Sequence, residues 1–73
     1  MKRKYTARAL VAFHVRRLRL ESGLSQELLA TKCGFHRTYI SQVERQLSNI
    51  TVDNLERIAE VLAVDPARLL ETH

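Results

Sequence analysis

Residues 25–45, with the sequence SQELLATKCGFHRTYISQVER, decide the fold of this chain. Ser25 is a favourable N-cap residue, so a short helix is predicted to begin there and to end near Lys32. Gly34 follows, and glycine adopts the positive φ of a tight turn without steric cost. A second helix is then predicted over about residues 37–45, with His36 at its cap position. The stretch therefore predicts two short helices joined by a tight turn.

The packing of these two helices can be inferred from their small and apolar residues. Ala30 is small enough to let the helices cross closely. Ile40 and Val43 are spaced i, i+3 and mark the buried side of the second helix. The opposite side of the second helix stays exposed and is free to enter the major groove of DNA, which is wide enough to admit a helix. This arrangement is a helix–turn–helix.

Three more helices are predicted around this motif. Apolar residues spaced i, i+4, i+7 predict a helix over about residues 7–22, with Thr6 as its cap. Thr51 is the cap of a fourth helix, which carries an apolar stripe. Asp65 followed by Pro66 is a strong start signal for a short fifth helix. Strand signals are weak, and the sequence predicts an all-α fold of five helices.

The composition fits one small globular domain. The chain has 73 residues, of which 45% are hydrophobic, so we expect a single domain over residues 1–73 with a loose basic arm at residues 1–6. Its apolar runs are shorter than the ~18 residues of a membrane span. With Cys33 as its one cysteine, it has no intrachain disulfide or cysteine zinc site. The histidines lack metal-ligand spacing, so we expect no metal and no cofactor. We expect Cys33 to be a buried thiol and the protein to be cytoplasmic.

The charge is divided unevenly along the chain. Residues 1–45 carry ten basic and three acidic residues, whereas residues 46–73 carry two basic and five acidic residues. Such an asymmetry indicates that one half faces an anion and the other half does not. Nucleic acid is the commonest large anion, so double-stranded DNA is the expected partner.

Three segments carry a resemblance to a known family. The segments are GLSQE at 23–27, RTYIS at 37–41 and ER at 44–45, with Asn49 beyond them. They resemble the phage repressor and Cro family, and the last two are similar to the controller proteins of restriction–modification systems. The resemblance implies a compact, lambda-repressor-like DNA-binding domain. It also implies a transcriptional regulator that acts as a homodimer on inverted-repeat operators.

The same resemblance suggests roles for individual residues. We expect base contacts from the exposed side of the second helix of the motif, from Arg37, Thr38, Ser41 and Gln42. Arginine suits guanine because its fork pairs with O6 and N7, and glutamine can pair with adenine. We expect phosphate contacts from Gln26, Tyr39 and Ser25. A structural ion pair is expected between Arg19 and Glu44.

One position departs from the family pattern. The family usually has glycine at the place of Gln46, where the chain leaves the helix in a left-handed conformation. A residue other than glycine costs roughly 1 kcal/mol there, unless the chain leaves the helix in another backbone conformation.

The C-terminal half is expected to form the dimer. A core this small is marginal alone, and the last two helices have more apolar residues than one short helix pair needs. The residues expected at a two-fold interface are Leu62, Val64, Pro66, Leu69 and Leu70.

Other functions are less well supported by the sequence. No nucleophile, base and orienting group are spaced for catalysis, so an enzyme is not expected. The alternative is an antitoxin-type protein-interaction module whose acidic half binds a toxin, with secondary DNA binding. A C-terminal segment able to wrap a toxin would favour it. An RNA-binding protein would need an aromatic stacking platform, which is lacking. RNA polymerase is a further candidate partner, through exposed Glu27.

Overall fold

The computed structural model of the protein describes residues 5–73 and contains four α-helices followed by one 3-10 helix. The elements are α1 (Ala7–Glu21), α2 (Gln26–Cys33), α3 (Arg37–Glu44), α4 (Val52–Val61) and the 3-10 helix (Pro66–Leu70). Among the described residues there is no strand, which confirms the all-α class. Most of the predicted basic arm, residues 1–4, lies outside the described residues. Within the described part, none of the helices has the length and apolarity to cross a membrane.

Each helix begins at a side chain that accepts a hydrogen bond from a backbone amide of its first turn. The five capping residues are the predicted ones, Thr6, Ser25, His36, Thr51 and Asp65. At α3 the acceptor is the ring atom Nδ1 of His36, which lies 3.1 Å from the amide nitrogen of Thr38. The caps explain why the predicted starts were accurate, because an N-cap is a local property of a few residues.

The prediction of five α-helices was wrong in its last element. Residues Pro66–Leu70 form a 3-10 helix, with the amide of Arg68 donating to the carbonyl of Asp65 at 2.9 Å. The segment is only five residues long, because Glu71 is already extended. Such a short piece closes i to i+3 bonds more readily than it nucleates an α-helix.

All four α-helices end at a residue in the left-handed conformation. These residues are Gly23, Gly34, Gln46 and Ala63, with φ of 71°, 77°, 62° and 60°. At the end of α3 the amide of Leu47 donates to the carbonyl of Gln42 at 2.8 Å, and the Gln46 amide donates to Val43. This is a Schellman motif, which satisfies the last carbonyls of a helix. Gln46 thus adopts the conformation that the family gives to glycine.

The core lies where the helix–turn–helix packs on α1, α4 and the 3-10 helix. Its fully buried centre consists of Val15, Leu29, Ile40, Ile58 and Leu69. Each helical element contributes at least one of these residues, so the core orients all elements together. Because Ile40 is fully buried, the inner face of α3 is fixed and its opposite side points to solvent.

The end of the chain packs on α1 through aromatic rings. Buried His14 donates from Nε2 to the carbonyl of Glu71 at 2.8 Å. The His73 ring stacks on Phe13 at 3.8 Å and on Tyr5 at 4.7 Å between ring centroids. The two histidines therefore have structural partners.

We predict that Gln46→Gly stabilises the protein. Glycine removes a left-handed strain of ~1–2 kcal/mol, and about half of this gain is lost because glycine makes the unfolded chain more flexible. The free energy of unfolding in urea should therefore rise by about 0.5–1 kcal/mol. The control, Gln46→Ala, keeps a Cβ and should bring no such gain. Equal stabilities of the two variants would show that the position is not strained.

Candidate nucleic-acid interface

A buried ion pair fixes α3, the second helix of the motif, on α1. Arg19 Nε donates to Glu44 Oε2 at 2.7 Å, and Arg19 NH2 donates to Glu44 Oε1 at 3.0 Å. The side chains are only 8% and 3% exposed. Arg19 NH1 also donates to the carbonyl of Leu24 at 2.9 Å, so the guanidinium bonds through all three nitrogens. This pair was expected from the family resemblance, and the structure contains it with bidentate geometry.

Gln26 joins the ion pair to the start of α2. Its side-chain amide donates to Glu44 Oε1 at 3.1 Å. One amide hydrogen is thus used inside the protein, and a second one remains for the predicted phosphate contact. Because Gln26 is the first residue of α2, the network ties the start of α2 to the end of α3.

The first turns of α2 and α3 enclose an open, shallow cavity of about 370 Å³. It is lined by Gln26, Glu27, Arg37, Thr38 and Ser41. The cavity brings together three of the four residues predicted to contact bases, all of them on the first two turns of α3. Gln42, the fourth, is exposed on the same helix but does not line this cavity.

Two of the predicted phosphate contacts, Tyr39 and Ser25, also make contacts within the protein. The Tyr39 hydroxyl accepts a hydrogen bond from Asn54 Nδ2 at 3.1 Å, and its ring packs edge-on against Phe35. The hydroxyl hydrogen can still donate to a phosphate. Ser25 Oγ accepts from the Leu28 amide, which leaves its own hydroxyl hydrogen to donate. Asn54 was not predicted from the sequence, because its contact with Tyr39 joins residues of different helices.

Cys33 has a structural role. It is buried and free, as expected. Burial raises the pKa of its thiol, and the nearby charge of Arg57 acts in the opposite direction. Arg57 also donates to the Cys33 carbonyl at 3.4 Å and lies over the Phe35 ring. Among the described residues no group of histidine, cysteine or carboxylate side chains could hold a metal ion.

The residues predicted at the dimer interface have different environments. Leu69 is fully buried and Leu62 nearly so, because both side chains fill the core of the protomer. This corrects their assignment to the interface. Val64 and Pro66 are half-buried, and Leu70 is exposed. In the 3-10 helix the neighbouring leucines point to different sides, so one is used in the core and the other is presented to solvent.

Leu70 borders an apolar cavity that was not predicted from the sequence. The cavity has a volume of about 330 Å³, and its apolar lining includes Ile50, Val52, Leu55 and Leu70. We call these four residues the apolar face. Val52 is 81% exposed and Leu70 is 42% exposed. Arg8 donates to the Asn49 side-chain oxygen beside them. The sequence signal for this cavity was Val52, a valine that directly follows the N-cap residue of α4 and has no place in the apolar stripe of that helix.

Comparison with known proteins identifies the family. The sequence pattern of the family described as Helix-turn-helix matches residues 15–69. The chain belongs to this helix–turn–helix family. The match covers α2 and α3 completely and includes the ion pair, the shallow cavity and most of the core.

Individual helix–turn–helix proteins are similar to this chain in sequence or structure over nearly its whole length. Control protein C.BamHI of Bacillus amyloliquefaciens is 48% identical over 65 residues, which are 88% of this chain and 80% of that protein. The crystal structure of the hypothetical transcription factor NHTF from Neisseria has a TM-score of 0.90 and 41% identity, covering 97% of this chain and 82% of that chain.

A third relative was solved with DNA. The restriction–modification controller protein C.Esp1396I, as a tetramer on its natural 35-base-pair operator, has a TM-score of 0.79 and 38% identity. The match covers 90% of this chain and 87% of that chain. The resemblance to controller proteins expected from RTYIS and ER is therefore confirmed.

We predict that Glu44→Gln strongly destabilises this helix–turn–helix domain. The substitution leaves the buried Arg19 charge without its counter-ion, which costs about 3–5 kcal/mol. Urea unfolding monitored by circular dichroism measures the loss. The matched control is Glu21→Gln, which breaks the exposed Arg17–Glu21 pair of 2.9 Å and should cost under about 1 kcal/mol. Similar losses for both variants would contradict a special role of the buried pair.

Proposed function

We propose that this protein is a sequence-specific regulator of transcription that binds double-stranded DNA as a homodimer on inverted-repeat operators. It is of the type found in restriction–modification controllers. The observation that carries this proposal is the geometry of α3. Its inner side is locked by Ile40 and the Arg19–Glu44 pair, while Arg37, Thr38 and Gln42 are exposed on the helix. A helix held this way presents base-reading side chains to a major groove.

The chemistry of the exposed residues supports this proposal. Arginine and glutamine are the side chains that read guanine and adenine through two hydrogen bonds. Gln26, Ser25 and Tyr39 retain donor hydrogens beside them, as phosphate contacts require. The operator complex of C.Esp1396I, a relative of the same fold, supports the DNA-binding role. A non-enzymatic role and a cytoplasmic location follow from this proposal, and contact of Glu27 with RNA polymerase stays a prediction.

Selection of binding sites from random duplex DNA with the purified protein tests the proposal. A regulator of this kind should enrich one inverted repeat, with half-sites about ten base pairs apart from centre to centre. Bound DNA without any enriched sequence would contradict sequence-specific regulation, and absence of binding would contradict the whole proposal.

We predict that Arg37→Ala weakens binding to the selected site by about 1–3 kcal/mol and relaxes the preference at one base position. The reason is the loss of a bidentate contact to guanine. Fluorescence anisotropy with the selected duplex, and with variants at each position, measures both effects. Arg68→Ala is the matched control, because Arg68 is also exposed and pairs with Glu71 at 3.3 Å, as Arg37 does with Glu27. Equal losses on selected and random DNA would assign Arg37 to the phosphates instead.

We also propose that the apolar face forms the two-fold dimer interface together with Val64 and Pro66. Val52 and Leu70 expose apolar surface at the rim of one cavity, and burial of such surface against a second copy is favourable. The face lies on the loop before α4, the start of α4 and the end of the 3-10 helix, so it leaves the exposed side of α3 accessible. A two-fold axis there would place two recognition helices about 34 Å apart.

We predict that Leu70→Glu yields a folded monomer with weak DNA binding, because a charge would be desolvated at the interface. Sedimentation velocity gives the oligomeric state, and anisotropy gives the affinity. Leu20→Glu is the control, since Leu20 is 55% exposed on α1 and lies outside the lining of this cavity. The control should remain dimeric. A Leu70→Glu dimer, or a wild-type monomer, would rule out this interface.

A further inference from the structure

Glu27 is an acidic residue on the surface that is proposed to face DNA. Its carboxylate oxygen Oε2 lies 3.3 Å from Arg37 NH1, and the two side chains are 69% and 70% exposed. Both residues line the shallow cavity between the first turns of α2 and α3. An exposed pair of this kind adds little to stability. The pair lies between the two helices that carry the other proposed DNA contacts, so its effect is expected on DNA binding and not on stability.

The position of Arg37 is unfavourable for the helix itself. Arg37 is the first residue of α3, and the first turn of α3 has no acidic residue. A cation at this end of a helix is opposed by the helix dipole. Glu27, in the first turn of α2, supplies the negative charge from the neighbouring helix. The pair therefore bridges the two helices and holds the Arg37 side chain over the cavity.

The geometry leaves one edge of the guanidinium available for a base. Glu27 accepts from NH1, whereas Nε and NH2 form the other donor edge of the same planar group. Two donors on one edge match the O6 and N7 acceptors of guanine. A carboxylate that fixes NH1 thus determines the direction in which this second edge points.

The same carboxylate lowers the affinity for DNA in general. Glu27 carries a negative charge into a surface that approaches the phosphates, and this repulsion acts on every DNA sequence alike. The repulsion therefore cancels when two sequences are compared, because specificity is a difference of affinities. The difference arises from the position of Arg37. Where guanine is present, the fixed edge makes its two hydrogen bonds, and where guanine is absent, the held side chain does not turn to another base or to a phosphate.

We propose that Glu27 is a specificity-determining residue, which positions Arg37 for guanine and keeps it from binding equally well where another base stands at that position. This inference rests on the proposed function. It deepens that function by assigning a role in base selection to a residue of α2 that does not itself contact a base.

The test compares Glu27→Gln with the wild type on the selected duplex, on its variants at the Arg37-dependent position and on random duplex DNA. We expect Glu27→Gln to bind random DNA roughly two- to fivefold more tightly per subunit, as for removal of one exposed charge. We expect discrimination at that base position to fall by about threefold or more. The matched control, Glu21→Gln, removes the same charge from the exposed Arg17–Glu21 pair and should leave discrimination unchanged.

The Arg37→Ala background separates positioning from charge alone. In this background Glu27→Gln should still tighten binding to random DNA but should no longer alter base preference, because it acts on that preference through Arg37. If Glu27→Gln retains wild-type discrimination, or tightens binding to all duplexes equally, the inference is wrong while the proposed function stands. If the wild type selects no sequence, the proposed function fails before any variant is compared.

Discussion

Arg19 and Glu44 form an ion pair inside a small, otherwise apolar protomer, and the orientation of α3 depends on it. The pair joins the last turn of α1 to the last residue of α3, and the Gln26 amide extends it to the start of α2. The apolar core holds the helices against one another, but the hydrophobic effect itself has little directional preference. Two parallel hydrogen bonds between planar groups have one geometry. The pair therefore sets the angle at which the exposed side of α3 meets a ligand.

The chain separates two surfaces with different chemistry. The first turns of α2 and α3 bear the proposed DNA contacts, with Arg37 and Thr38 exposed. The apolar face lies at the other end of the sequence, on the loop before α4 and on the 3-10 helix. This separation agrees with the division of charge between the two halves of the chain. A basic surface can approach DNA while an apolar surface is buried against another copy.

Local features were predictable from the sequence, and contacts between distant residues were not. Caps such as Ser25 and Thr51 were found because they depend on a few neighbouring residues. The choice between Leu69 and Leu70 could not be made, because a five-residue segment is too short to show a period. The Glu27–Arg37 contact was missed because the turn between α2 and α3 fixes which side chains meet across it. The Arg19–Glu44 pair was expected only through the resemblance to a family.

The left-handed residues also divide the fold by local stability. The turns after α1 and α2 use Gly23 and Gly34, which adopt positive φ without strain, whereas Gln46 and Ala63 carry a Cβ there. Gln46 follows the end of α3 and Ala63 follows the end of α4, so unwinding of the last turn of either helix would relax the strain there. These two turns are therefore the natural places of partial opening, whereas opening at Gly23 and Gly34 relieves no such strain. α4 also carries Val52 and Leu55 of the apolar face, so association with a second copy would stabilise this helix and slow amide hydrogen exchange in it.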